Sequence, residues 1–266
     1  MQEDKKMKKY LIAAISLVMV FAFCGCGSGG SDSAEKEYVD QAEISKVFGD
    51  PEAYKGKYIK IAGQVFNTDR DGDTVAVQAW YDVENYEEDF IAYINSDESF
   101  KTDDFIIVDG MIEGTFSGEN AFGGEIATVQ INADSIEKST YAEAIAPATE
   151  TREVNKEVTE ADATLTVSKV EFAESETRIY VELNNKSDYT VSAYTGSARI
   201  VQDGKQYDAD YNYEADYPEI DDVSAGASKE GIICVKPLDP EKEITLHIDG
   251  YTENYDIDME EFQITF

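Results

Sequence analysis

Few residues in this sequence have the type and spacing that catalysis or metal binding requires. There are 3 Cys and 1 His against 56 Asp and Glu. Cys234 lies in Gly231-Ile232-Ile233-Cys234-Val235, an apolar strand-like run where a thiol serves as a small buried hydrophobe. Nucleophilic use would need a base beside it. The one imidazole, His247, sits in Ile244-Thr245-Leu246-His247-Ile248, whose alternation turns it to the opposite, solvated face. A Cys/His dyad is therefore not expected. A single His also excludes the usual zinc sites, and the chain has neither a Gly-x-Gly-x-x-Gly after a strand nor a Walker lysine. Asn67-x-Asp69-x-Asp71-Gly72 imitates the first half of a calcium loop, but Gln78 stands at the twelfth position, where a bidentate Glu belongs. It reads as a hairpin turn. The acidic, Tyr-rich run Asp208 to Tyr217 reads as a solvated loop, with millimolar calcium binding as the alternative. Carboxylates are so numerous that a pair suited to glycoside hydrolysis arises by chance, and nothing singles one out.

The N-terminus carries a different chemistry. Lys5, Lys6, Lys8 and Lys9 precede an apolar core, Leu11 to Phe23, which ends at Gly25-Cys26. The apolar run is 13 residues long, short of the roughly 20 needed to span a bilayer, so it reads as a signal. Phe23-Cys24-Gly25-Cys26 resembles the lipobox of prolipoproteins, in which the Cys after a small residue is acylated and begins the mature chain. That resemblance implies lipidation of Cys26. Phe and Cys at the two preceding positions depart from the common pattern and leave Cys24 as the alternative. Gln2 to Asp4 place acids where the signal is normally basic, so Met7 is an alternative start. Two acyl chains on one residue give stable anchoring, which places the protein on the extracytoplasmic face of the membrane.

Removing Met1 to Gly25 takes away four Lys and two acids, leaving 18 Lys and Arg against 54 Asp and Glu, a formal charge of −36. Such a surface repels polyanions, so nucleic acid is excluded as a partner. Cationic partners and divalent ions are what this field concentrates, and solubility on an anionic envelope is the plainer use of the same charge. With Cys24 removed and Cys26 acylated, Cys234 has no partner, so no disulfide framework is expected.

A signal (1–25) and a flexible tether (26–39) precede two β-rich segments, 40–141 and 164–266, separated by an Ala-, Thr- and Glu-rich stretch, 142–163, that reads as a linker. In the first segment a short helix over Gln41 to Phe48 and a turn at Asp50 to Tyr54 lead into five strands. Ile59, Ile61, Gly63 and Val65 share one face; so do Val75, Val77 and Ala79; then Val108, Gly110, Ile112 and Gly114; then Ala127, Val129 and Ile131. Glycines inside strands suit the tight bends of a small closed barrel. In the second segment the alternation of Leu165 and Val167 slips by one to Val170 and Phe172, predicting a bulge near Ser168-Lys169. Asp203-Gly204 is a hairpin turn, and six or seven short strands argue a β-sandwich.

Tyr54-Lys55-Gly56-Lys57-Tyr58-Ile59-Lys60-Ile61-Ala62-Gly63-Gln64-Val65, Asp109 to Gly114 and Ala133 to Glu137 resemble the OB-fold domains of bacterial surface lipoproteins. The resemblance implies a ligand face on strands 2 and 3 and their neighbouring loops, here offering Trp80, Tyr93, Phe116 and Phe122. These aromatics serve either as packing residues or as a sugar or peptide platform. The acids around them, Asp69 to Asp89, oppose the basic groove that single-stranded nucleic acid needs. Val167 to Phe172, Val181 to Ser187, Val201 to Tyr207, Asp216-Tyr217-Pro218 and Ala225-Gly226 resemble the Ig-like domains of unknown function that end many Gram-positive surface lipoproteins, and that family brings no catalytic residues.

The expectation is thus an all-β, lipid-anchored protein, an OB-type barrel followed by an Ig-like sandwich. It would act as a binding or accessory module of the cell envelope, with no cofactor, no metal and an unidentified protein or polymer partner. The alternatives are a carboxylate-pair hydrolase of envelope polymers and a low-affinity calcium-binding adhesion module.

Overall fold

Alternating apolar residues become strands almost where the pattern places them. The computed structural model describes residues 35–119, 125–254 and 256–266; the signal, Cys24 and Cys26 lie outside them. Among the described residues no helix is long and apolar enough to cross a membrane, and Lys36–Phe266 forms one compact unit.

The first five strands are β1 (Tyr58–Asp71), β2 (Thr74–Asp82), β3 (Glu87–Asn95), β4 (Phe105–Glu119) and β5 (Glu125–Ser139). They close on themselves in the order β1-β2-β3-β5-β4. Antiparallel β1–β4 pairing, Tyr58 opposite Met111, closes one seam. A short parallel β3–β5 pairing, Phe90 opposite Val129, closes the other. Ile59, Ile61, Val65, Val75, Val77, Ala79, Phe90, Ile106, Val108, Ile112, Val129 and Ile131 fill the interior, and Ile44 and Val47 of helix α1 (Ile44–Gly49) pack against it. Two strand glycines are sterically obligatory. A Cβ on Gly63 would stand 2.6 Å from the Trp80 carbonyl, and one on Gly110 would stand 2.6 Å from the Asn132 carbonyl. Ala127 is exposed, contrary to its phase, because β5 meets β3 only from Val129 onward, so the β4–β5 hairpin runs past the end of that pairing. Asn67 to Gly72 run along β1 into the β1–β2 turn, with Asp71 opposite Thr74. Side chains of a strand alternate between its faces, so this run has the hairpin form expected of it.

The tether expected over 26–39 ends sooner than the sequence suggests. Tyr58 donates its N–H to the Glu37 carbonyl, and Val39 donates to the Tyr58 carbonyl, both at 2.8 Å. Lys36 pairs with Asp134 at 2.6 Å. These bonds fasten 36–39 to the start of β1 and to β5.

The second half contains eleven strands among the described residues. Sheet β13-β8-β7-β6 comprises β6 (Glu150–Glu160), β7 (Ala163–Phe172), β8 (Thr177–Asn185) and β13 (Ser228–Val235). A second sheet, β11-β10-β14-β16, joins β10 (Arg199–Gln202), β11 (Lys205–Asp208), β14 (Thr245–Ile248) and β16 (Phe262–Thr265). A third, β12-β9-β15, joins β9 (Val191–Ala193), β12 (Asp222–Val223) and β15 (Gly250–Thr252). All three bury apolar residues in one cluster, including Leu165, Val181, Val191, Ile200, Leu246 and Phe262. The predicted bulge is present, Ser168 being skipped between Val167 and Lys169.

The linker reading is overturned. Residues 142–163 contain the end of helix α2 (Tyr141–Ala144) and the whole of β6. β6 looks like a linker because it is an edge strand: Val154 and Val158 pack on the core while Arg152, Glu153, Lys156 and Glu157 lie outside it, and charge on an edge blocks further pairing. A bulge at Val154-Asn155 breaks its period.

Candidate functional site

The acidic run 208–217, expected as a solvated loop, is a strap that joins the barrel to the second half. It lies along the outer edge of β13, with Asp210 N–H donating to the Cys234 carbonyl and Ile232 N–H to the Pro218 carbonyl, both at 2.8 Å. An unpaired strand edge offers such groups. Within the strap the Asn212 Oδ1 accepts from the Glu214 and Ala215 N–H groups at 3.1 Å, a local turn that Asn side chains favour.

Under the strap is a buried polar network. Arg178 is 1% exposed. Its Nη1 donates to Glu176 Oε1 and to the Ala146 carbonyl, each at 2.7 Å. Nε and Nη2 reach Glu171 Oε2 at 3.1 and 3.0 Å. Glu176 also accepts from the Tyr217 hydroxyl, from Asn212 Nδ2 at 3.1 Å and from the Cys234 thiol at 3.2 Å; Tyr180 donates to Glu171 at 2.8 Å. Among the described residues no buried side-chain polar atom is left without a partner.

Burial opposes the charge of Glu176, but the hydrogen bonds from Tyr217, Arg178, Asn212 and Cys234 outweigh it and hold the carboxyl below the usual range. Glu171 is held low in the same way, with Lys169, Tyr180 and Arg178 outweighing burial. Burial, and then the bond to Glu171, pushes the Tyr180 hydroxyl up to about 12. Burial and the Glu176 charge push the Cys234 thiol up. Both carboxylates of this pair are therefore ionised acceptors, whereas a general acid needs a raised pKa. Cys234 lies on the floor of the joint as a protonated donor, in a more polar setting than the buried hydrophobe its strand suggested. His247 is part-buried, with Nδ1 3.2 Å from Glu261 Oε1.

The strap meets the barrel through Glu214, which accepts from Gln64 Nε2 at 3.0 Å and from the Tyr86 hydroxyl at 2.5 Å. Tyr86 stands edge-on to Trp80, whose ring stacks on Phe66 with centroids 4.3 Å apart. Trp80 thus belongs to an aromatic group at the joint. Tyr93 and Phe116, also expected on this face, stand elsewhere on the barrel. Tyr93 lies opposite Ala76, four positions along β2 from Trp80 and so roughly 13 Å away. Phe116 lies opposite Thr128 in the distal β4–β5 hairpin, and Phe122 lies outside the described residues.

Between strap, barrel and second half is a cleft of about 330 Å³ bordered by Glu84, Tyr141, Asp210, Tyr211, Tyr213, Glu214 and Lys236, with Glu176 and Cys234 at its floor. Tyr211 and Tyr213 are 46% and 82% exposed and meet edge to face with centroids 4.5 Å apart. Sequence reasoning noticed the Tyr-rich acidic run but had no means of knowing that it would be laid across a joint.

No family model matches the chain, and no curated protein matches it. A solved structure described as a functionally unknown protein from Listeria monocytogenes EGD-e is similar over 48% of this chain and 92% of its own, at 11% identity and a TM-score of 0.37, too low to carry an argument.

Proposed function

We propose that this chain is a lipid-anchored, extracytoplasmic binding module. Cys26 carries the lipid, the five-stranded barrel is of the OB type and the second half is Ig-like. The ligand site is the joint cleft, where the reading from sequence alone had put it on the outer face of the barrel. The observation that carries the binding reading is the pair of exposed tyrosines, Tyr211 and Tyr213, standing beside carboxylates at the mouth of a cleft. Large exposed aromatics on one rim mark contact surfaces more often than isolated ones do. Binding is favoured over hydrolysis because the carboxylate pair at the joint, Glu171 and Glu176, is locked by Arg178 in the ionised state. A hydrolase would keep one acid protonated.

Two measurements test the proposal. Cys26→Ser abolishes acyl labelling and releases the protein to the medium; unchanged labelling refutes the anchor at Cys26. For the site, the Tyr211 and Tyr213 ring resonances are followed during titration with envelope polymers and peptides. Ligand-induced shifts confined to resonances far from the cleft would refute its role.

A further inference from the structure

We infer that the cleft accepts a cationic side chain, a lysine ammonium or arginine guanidinium, presented by a peptide segment of a partner protein. This rests on the reading of the joint cleft as the binding site and adds the chemistry of its occupant. Charge is the first argument. Glu176 on the floor is neutralised by Arg178 at 2.7 Å, but Glu84 and Asp210 are exposed and form no ion pair among the described residues. Glu214 is held only by neutral donors, Gln64 and Tyr86, with no cationic partner among the described residues. Against these three carboxylates the cleft offers one cation, Lys236. The excess is negative inside a chain that is itself strongly acidic, and a concave site with low-dielectric walls focuses that field.

The aromatic rim is the second and independent argument. Tyr213 is 82% exposed and adds little to any core. Its edge-to-face contact with Tyr211 leaves ring faces open to solvent, and the face of a tyrosine ring attracts a cation. Tyrosines and carboxylates around one cavity are complementary to an alkyl stem ending in positive charge, and repel an anionic polymer. Size agrees, since about 330 Å³ accommodates one long basic side chain. The rim continues onto Tyr86, 50% exposed and bonded to Glu214. Residues flanking the cation find contact there, which a free amine would not use, and this favours a peptide as the source.

The test is calorimetric titration of the mature chain carrying Cys26→Ser with a hexapeptide of alternating Lys and Gly, with its ε-acetylated form and with 1,5-diaminopentane. We expect the Lys peptide to bind and the acetylated peptide and the diamine to bind at least tenfold more weakly. Tyr211→Ala/Tyr213→Ala should weaken binding of the Lys peptide about tenfold at unchanged protein charge. Glu84→Gln/Asp210→Asn should weaken it comparably, and Lys236→Gln should tighten it. Asp97→Asn/Glu98→Gln removes the same charge beyond the far end of β3 and should change it less than twofold. The tyrosine rings are exposed, so folding survives their truncation, as circular dichroism will verify.

If the tyrosine variant binds as tightly as the parent while the Asp97/Glu98 variant weakens as much as the Glu84/Asp210 one, binding reflects only the general field and the inference is overturned. Equal affinity for the diamine overturns the peptide source. Tyrosine-dependent binding of the acetylated peptide, equal to that of the Lys peptide, overturns the cation but leaves the cleft as a binding site. If none of the three ligands binds, the cationic occupant is overturned, and the ring-resonance titration with other ligands decides the cleft separately.

Discussion

Replacing Arg178 by Met removes the guanidinium that joins Glu171, Glu176 and the Ala146 carbonyl. Glu171 retains Lys169 at 2.5 Å and Tyr180. Glu176, with its side chain 6% exposed, retains only the neutral donors Tyr217, Asn212 and Cys234. Stranding one buried charge in this way costs about 3–5 kcal/mol, a large share of the roughly 5–15 kcal/mol that stabilises a typical domain. The loss should also depend on pH with an inverted sign. In the parent protein the Glu176 carboxyl is held low, so its stabilising contribution is complete above the unfolded value of about 4.3 and fades as pH falls through the folded value. In the variant, burial dominates and raises the folded pKa above the unfolded one, so protonation relieves the strain as pH falls from 7 towards about 4.5. The stability gap between the two proteins should therefore narrow on acidification. Urea unfolding at pH 7.5, 6.0 and 4.5, followed by circular dichroism and by the fluorescence of Trp80, the chain's one tryptophan, measures it. If Arg178→Met does not fold, Arg178→Met/Glu176→Gln should, because the stranded charge is gone. A gap below about 1 kcal/mol at pH 7.5, a gap that does not change with pH, or a double variant no better than the single one would refute the reasoning.

Other perturbations follow from the same geometry. Gly110→Ala forces a Cβ to within 2.6 Å of the Asn132 carbonyl and 2.7 Å of the Ala133 Cα. Backbone cannot swing aside, so a loss of about 1–3 kcal/mol is expected in a thermal melt, and an unchanged Tm would contradict the steric account. Cys234, 8% exposed and with its thiol pushed up, should resist iodoacetamide at pH 8 in a Cys24→Ser/Cys26→Ser chain and react once urea unfolds it; rapid native labelling would speak against the buried network. A fragment of residues 147–266 should melt cooperatively, whereas 160–266 should not, because it lacks β6 with its Val154 and Val158 contacts to the core. Equal cooperativity would mean that β6 is dispensable.

The five barrel strands and the bulge at Ser168 were legible because each is a local pattern. Charge, apolar length and period-two alternation are properties of neighbouring residues, and burial of one face is enough to turn alternation into a strand. β6 was misread because an edge strand packs only Val154 and Val158 of its residues, each partly buried, against the core and looks polar. The shortest strands, such as Asp222–Val223, are too brief to show any period. The 36–39 segment was taken for tether because its attachment, by backbone bonds to β1 and by pairs such as Lys36 with Asp134, joins residues far apart in sequence and leaves no local pattern.

The candidate site divides along the same line. By itself the sequence determined the strong negative field, the presence of clustered tyrosines and carboxylates in 208–217, and the shortage of the histidines a zinc site needs; that a carboxylate, Glu176, stands beside the Cys234 thiol it did not show. Only the tertiary structure decided that this run crosses a joint, that Glu176 is neutralised while Glu84 and Asp210 are not, and that Trp80 stands beside Tyr86 but far from Tyr93. Charge and residue type are additive along a chain, so they can be read in order. Which carboxylate meets Arg178 and which meets water depends on contacts between residues up to 150 positions apart, such as Gln64 with Glu214, and those are set by how the sheets close and not by any local pattern.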